Sequence, residues 1–349
     1  MAKVTDQIAI VLGIQSGEGT VNTDVQAATI VANTDDGSPL SANEALGVLI
    51  RKESLKLDFE RVEEPGEDFS GTYSKAVGSF LRSSVAEFSF DLTVKGGGLA
   101  LDGTPSAGDY NLPEAVEALF SSFGLVRGTP TTGDTPYAFD STTSDFLTFK
   151  VWRGAISYTF QDCKVSSMEY KFTPGEVAVV TVTVACGAVS LDSSDTFPTS
   201  IDYGVQEDTT APVLKGAAAS IGSVTRGFLE GTLTLEPAID EFPDSNATEG
   251  VSQEQTARTI SWSGNFYVDS TDLDQDYQNL IRTGSFEDFQ FTLGVHVVTG
   301  VANALQFTMR NVNFTKVGVV EQAGRIVYAL EGYATHDGAG DDEFLLSSK

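Results

Sequence analysis

The chain repeats itself. Displaced by 149 positions, Ala155 to Cys186 falls without a gap onto Ala304 to Thr335: Tyr158 meets Phe307, Phe160 meets Met309, Val165 meets Phe314, Gly175 meets Gly324 and Val179 meets Tyr328. Side-chain size and polarity are kept where identity is not, as in a duplicated element whose packing surface is constrained. A second displacement, of 174, lays Ile50 to Lys95 on the later half and puts Phe88 on Trp262, Leu92 on Phe266 and Val94 on Val268. Element order agrees in the two halves: strand, long polar loop, strand, helix, strand, long hairpin. Such a chain has two similar apolar faces to bury, so two tandem modules are expected.

The period of the apolar residues says what the modules are made of. Ala86 to Lys95 alternates Phe88, Phe90, Leu92 and Val94 with Glu87, Ser89, Asp91 and Thr93, the pattern of a half-buried strand. Further strands are expected at 49–59, 146–152, 155–163, 166–172, 177–185, 229–235, 259–268, 286–293, 304–314 and 326–333, with Gly, Ser, Thr, Asp and Pro between them. Two segments have helical spacing. Pro113 to Phe123 puts Pro at the first helical position and Val116, Leu119, Phe120 and Phe123 on one stripe; Leu273 to Arg282 follows Asp272 as N-cap, with Tyr277, Leu280 and Ile281 on the buried face. The fold class is therefore mainly β: two tandem β-sandwich domains, each with one flanking α-helix. Expected boundaries are an N-terminal arm and first strand region at 1–48, a first domain at 49–188, a polar linker at 189–211, a second domain at 212–336 and a C-terminal tail at 337–349 that is mobile or docks. Residues 15–45 and 238–256 read as extended loops or arms.

Charge narrows the function. Among 349 residues, 49 are Asp or Glu and 21 are Lys or Arg, a formal net charge of −28. A surface that grips nucleic acid needs Lys and Arg to displace counterions from phosphates, so that class is excluded, whereas a surface that nucleic acid passes without sticking is not. With 41% apolar residues and 22 Phe, the chain has the material for a packed core. The start, Met1-Ala2-Lys3-Val4-Thr5-Asp6, lacks the basic opening of a secretion signal, and no apolar run approaches the roughly 20 residues needed to span a bilayer. The expectation is a soluble protein made in the cytosol, with no membrane partner.

Catalytic and metal chemistry find little support. Two Cys and two His are a poor inventory for a metal centre, and no metal or cofactor is expected. If Pro174-Gly175 is a hairpin turn, Cys163 and Cys186 face each other across it, close enough for a disulfide. The second copy has Val312 and Thr335 there, and two buried free thiols are the preferred reading in a reducing cytosol. Asp269, Asp272, Asp274 and Asp276 suggest a calcium loop, but Tyr277 and Thr283 stand where its Gly and Glu belong, and acids at a helix N-terminus are explanation enough. The pairs Glu63/Glu64 and Asp341/Asp342 are unremarkable among so many acids. Neither His296 nor His336 adjoins a nucleophile motif, and the glycines at 13–19 and 96–98 read as turns rather than phosphate loops. Tandem sandwich modules with long polar arms and no catalytic constellation suggest a subunit that works by assembling, its exposed strand edges covered by neighbouring chains.

One hairpin carries a resemblance. Ile156 to Val184, with Cys163-Lys164-Val165-Ser166-Ser167, a Pro174-Gly175 turn and an aliphatic/Thr strand after it, resembles the tail tube proteins of long-tailed bacteriophages. Ser54-Leu-Lys-Leu-Asp-Phe-Glu60, repeated as Glu230-Gly-Thr-Leu-Thr-Leu-Glu-Pro237, resembles the early strand of that family, which runs into a long inter-ring loop. The resemblance implies a virion protein, assembled in the host cytoplasm, that stacks as rings into a tube whose subunits contribute strands to a continuous inner β-barrel. A duplicated tube domain implies three chains per pseudo-sixfold ring. It also implies self-association, contacts with a tape measure protein inside and with tip and terminator proteins at the ends, and non-specific passage of DNA. The lumen-facing candidates are Asp58, Glu60, Glu87, Asp91, Glu169, Glu230 and Asp269. The inter-ring candidates are Glu63, Glu64, Pro65, Gly66, Asp68 and Phe69 in the first copy and Pro237, Asp240, Phe242 and Pro243 in the second, on loops spanning 61–84 and 237–256. The alternatives are another tail component, such as a terminator or tip protein, or a secreted acidic β-sandwich binding or surface-layer protein.

Overall fold

A computed structural model of the chain describes residues 8–27, 29–30, 40–42, 44–65, 79–95, 111–131, 134–204, 211, 218–222, 224–243, 251–267, 281–284, 286–294, 304–322, 324–336, 338 and 340–349. In chain order they form β1 (Ile8–Ile14), β2 (Thr29–Ile30), β3 (Ala45–Gly47), β4 (Lys56–Pro65), β5 (Ser79–Thr93), helix α1 (Glu114–Ser121), β6 (Leu125–Arg127), β7 (Thr135–Phe139), β8 (Leu147–Arg153), β9 (Ile156–Phe172), β10 (Val179–Asp192), β11 (Ser200–Ile201), β12 (Ala218–Ile221), β13 (Val224–Pro243), β14 (Val251–Tyr267), β15 (Glu287–Gly294), β16 (Ala304–Gln322), β17 (Arg325–Tyr333) and β18 (Phe344–Ser348). Sixteen strands join one branched sheet, and β2 and β11 form a small parallel pair.

The duplication is visible in the pairing. β4–β5–β10–β9–β8 and β13–β14–β17–β16–β15 are the same succession of antiparallel neighbours. Phe88 lies opposite Val184 and Leu57, and Trp262 lies opposite Gly332 and Leu233. Irregularities recur at matching places. β9 bulges at Ser166 and β16 at Thr315, and each hydroxyl donates to a carbonyl of the partner strand, Thr183 or Glu331, at 3.3 Å. Where β9 and β16 slip against β8 and β15, Asp162 and Asn311 hold φ of 52° and 45°. A third slip falls between Val62 and Glu63 in β4 and between Ala238 and Ile239 in β13. Bulges are built-in bends, so a shared set marks a shared sheet curvature. The displacement of 149 holds from β9 to β16 but becomes 148 from β10 to β17, so Cys186 corresponds to Ala334 rather than Thr335.

Several expected arms are strands. Residues 8–14, within the expected arm and first strand region, run between β3 and β8, and Val25, Leu40 and Leu46 beyond them are buried. The expected linker is tied down: β11 pairs with β2, Phe197 and Ile201 pack on a small cluster around Trp152, and Asp195 accepts from Trp152 Nε1 at 3.1 Å and pairs with Lys150 at 2.7 Å. The C-terminal tail is β18, paired with β16 on one side and β7 on the other, with Phe344 and Leu346 buried. In each case apolar side chains, Ala9 to Leu12, Phe197 and Ile201, and Phe344 and Leu346, supply the burial that a mobile arm would lack. α1 forms where expected, although Pro113 is its N-cap residue rather than its first turn. Of the second expected helix only 281 and 282 are described; they are helical, but Ile281 is exposed rather than buried. One continuous hydrophobic core reaches from Ile10 through Phe88, Phe172, Trp262 and Phe307 to Leu346. Burying each such aromatic or aliphatic side chain stabilises the fold by roughly 1.5–3 kcal/mol.

Candidate assembly surface

The two strand sets meet edge to edge. Met168 to Phe172 of β9 pairs antiparallel with Gly231 to Leu235 of β13, which fuses β4–β5–β10–β9 and β13–β14–β17–β16 into one eight-stranded sheet. Below this seam Tyr170 and Phe172 pack on aromatic residues of the second set: Tyr170 on Phe307 at 5.4 Å and Phe172 on Phe291 at 4.8 Å between ring centroids. Such pairs add about 0.5–1.5 kcal/mol each beyond burial. Among the described residues, β4 pairs only with β5, and β16 beyond Phe314 pairs only with β17, so these strands form the two outer edges of the sheet.

Directly opposed residues of antiparallel strands share a face. Phe88, Tyr170, Leu233 and Trp262 therefore lie on the core side, and the registers Asp58↔Glu87, Asp91↔Thr181, Thr181↔Glu169, Glu169↔Thr234 and Glu230↔Asn265 lie on the other. Five of the lumen candidates, Asp58, Glu87, Asp91, Glu169 and Glu230, thus share the sheet face turned away from the core, each at least partly exposed. Asp91 accepts from Thr181 Oγ1 at 2.8 Å, Glu230 accepts from Asn265 Nδ2 at 2.8 Å, and Glu169 pairs with Lys171 at 2.7 Å. Glu60 is in β4 but its side chain is outside the described ones, and Asp269 lies outside the described residues. Glu236 and Glu331 add to this face, and Lys56, Lys171 and Lys316 offset part of its charge. Glu331 falls in the expected strand 326–333 but was not among the candidates, and its partner Lys316 lies beyond the expected strand end at Phe314; the run Val317-Gly318-Val319-Val320 before the Gly324 turn was the available signal.

The described inter-ring candidates lie in the paired strands of long hairpins rather than in loops. β4 and β5 pair out to Pro65↔Ser79, and β13 and β14 out to Pro243↔Val251. Glu63, Glu64 and Pro65 are at the end of β4, their side chains outside the described ones; Gly66, Asp68 and Phe69 lie outside the described residues. In the second copy Pro237 is buried, Asp240 accepts from Thr256 Oγ1 at 2.8 Å, and Phe242 projects with 43% of its surface exposed.

Other reactive groups are structural in their surroundings. Cys163 and Cys186, opposed in β9 and β10 as the turn arithmetic anticipated, form a disulfide, which overturns the free-thiol expectation. Glu117 of α1 accepts from the Tyr137 hydroxyl at 2.5 Å and faces Arg127 at 3.5 Å; burial pushes its carboxyl up to about 7, against the opposing pull of Tyr137 and Arg127. Arg258 stacks on Phe139 and pairs with Asp341 and Glu343. The Asp272–Asp276 acids and His296 lie outside the described residues, while His336 Nδ1 accepts from the Gly338 amide at 3.0 Å. Among the described residues no three His, Cys, Asp or Glu side chains are grouped to hold a metal, and no helix is long and apolar enough to cross a membrane.

No protein-family model matches the chain. One curated protein is similar over part of its length: a tyrosinase from Pelophylax lessonae, 33% identical over 89 residues, covering 21% of this chain and 17% of that protein. The chain thus spans about a sixth of the relative it matches, too little to assign a family.

Proposed function

We propose that the chain is a structural subunit that polymerises as stacked rings, three chains to a ring, into the hollow tail tube of a long-tailed bacteriophage, with DNA passing along the lumen. The observation that carries this reading is the eight-stranded sheet: two equivalent strand sets joined edge to edge, packed on one face and acid-rich on the other, as a segment of a tube wall requires. Each set then corresponds to one sandwich-type tube domain, and the polar face to the lumen. Phosphates passing such a wall meet repulsion, and among the described residues Lys56, Lys171 and Lys316 stand apart on separate strands, β4, β9 and β16. The strand count sets a size. Three chains supply three times eight strands, which at about 4.8 Å spacing close a circumference of about 115 Å and a barrel of about 37 Å, wider once the strands tilt. In this reading the β4–β5 and β13–β14 hairpins reach the next ring, and tape measure, tip and terminator proteins are the other partners.

Negative-stain electron microscopy of the concentrated protein tests it. Hollow tubes or closed rings of roughly 80–100 Å, the width set by the barrel, a sheet spacing and a helix layer, are the expected result. A protein that stays monomeric at every concentration and salt defeats the proposal. The Cys163–Cys186 disulfide favours a second reading, an acidic surface-layer or binding protein of an oxidising environment, which flat lattices in the same images would support.

A further inference from the structure

We infer that the seam between the two strand sets is repeated between chains: the outer edge of β16 pairs antiparallel with β4 of a second copy, with Val320 opposite Lys56, Val319 opposite Leu57 and Gly318 opposite Asp58. The registers that define the repeat carry β9 onto β16 and β4 onto β13. The internal contact of β9 with β13 therefore maps, one repeat further on, to a contact of β16 with β4. Within one chain those two strands are the opposite outer edges of the sheet and share no pairing, so the contact has to come from another copy.

The exposure pattern agrees with an absent neighbour. At the internal seam Met168, Tyr170 and Phe172 are at most 4% exposed. At the equivalent places on the free edge Val319 is 59% exposed, and Val320 beside it 46%. Two branched apolar side chains on an uncovered strand edge are a liability in a monomer and a natural contact in an assembly. The side chains beneath the seam differ in size. Tyr170 corresponds to Val319 and Phe172 to Glu321, so the joint between chains is less aromatic than the joint within one. The contact is heterologous, one edge against the other, so it closes into a ring or runs on as a filament instead of stopping at a dimer.

This inference rests on the assembling-subunit reading, and a thiol-matching experiment separates the two. The native cysteines are paired with each other, so single cysteines can be added in exposed positions: Lys56→Cys on one chain and Val320→Cys on another. Mixed in equal amounts and oxidised under conditions where microscopy shows assembly, these two should give interchain disulfides in up to about half of the chains, the share whose neighbour at that edge carries the other cysteine. Lys56→Cys with Gly318→Cys, two residues out of register, should give at least tenfold fewer, and Val320→Cys alone should give none above that background. A second variant, Val319→Glu, should leave the monomer's thermal unfolding unchanged and abolish assembly. Rings or tubes that form without the Lys56–Val320 crosslink overturn the seam and leave the subunit reading standing. Crosslinking of Val320→Cys to itself also overturns the seam, in favour of an isologous edge. Absence of any assembly removes both.

Discussion

Trp262 and Phe88 hold equivalent places in the two strand sets, and the residues around them show how a duplicated core diverges without losing its shape. Added Cβ atoms at Gly231 and Gly264 would come within 2.5 and 2.6 Å of the Trp262 indole, so these glycines give the larger ring its room; Phe88 has Leu55 and Phe90 at the matching positions. Volume is conserved by the group and not by the residue. Glu117 belongs to the same scale. Its carboxyl is raised from 4.5 to about 7 by burial, so the folded state binds a proton that the unfolded state has already released. The stability this group contributes is complete below 4.5 and is lost as pH rises through about 7. Glu117→Gln should therefore flatten the loss of stability across that window; urea melts at pH 5 and pH 7.5 that move equally in wild type and variant would remove the buried carboxyl from the account.

At the scale of elements, the paired bulges are the most constrained feature. Asp162 and Asn311 occupy the left-handed region in corresponding strands, and the Asn311 backbone is held by Asp288 at its amide, 3.0 Å, and Thr335 at its carbonyl, 2.7 Å. A β-branched residue there is strained whatever the space. Asn311→Val should cost about 1–3 kcal/mol, while Asn311→Gly, which keeps both backbone bonds, should change stability by less than about 1 kcal/mol. Denaturation midpoints of the two variants are the measurement, and equal losses would show that the side chain rather than the backbone angle matters. Both positions carry Asp or Asn, the residues most tolerant of positive φ, yet nothing in a lone Asp or Asn distinguishes a bulge from a surface turn.

For the whole molecule the governing quantity is the net charge of −28. Chains that add edge to edge bring like charges together, and the range of that repulsion falls from about 30 Å at 0.01 M salt to about 8 Å at 0.15 M. Assembly followed by light scattering should accordingly start sooner and run faster as salt rises through that interval. Slower growth in salt would mean that attractive charge pairs dominate the joint. The polar sheet face, where Asp58, Glu87, Asp91, Glu169 and Glu230 gather, is the natural place for the excess charge, since it has solvent in front of it and the core behind.

Period-two alternation determined that the chain is β, and the size-matched repeat determined that its second half reuses the strand order of its first, because side-chain size and alternation are local properties written residue by residue. Alternation also put Glu87 and Asp91 on one sheet face, and the Pro174-Gly175 turn set Cys163 against Cys186. Tertiary structure decided what local pattern cannot encode. It decided that residues 8–14 and 344–348 are sheet strands, that residues near 195–201 lock onto Trp152, and that β9 and β13 share a seam. Each of these depends on a partner more than forty positions away in the chain, and short segments such as Phe344 to Ser348 acquire a structure only from the strands that flank them.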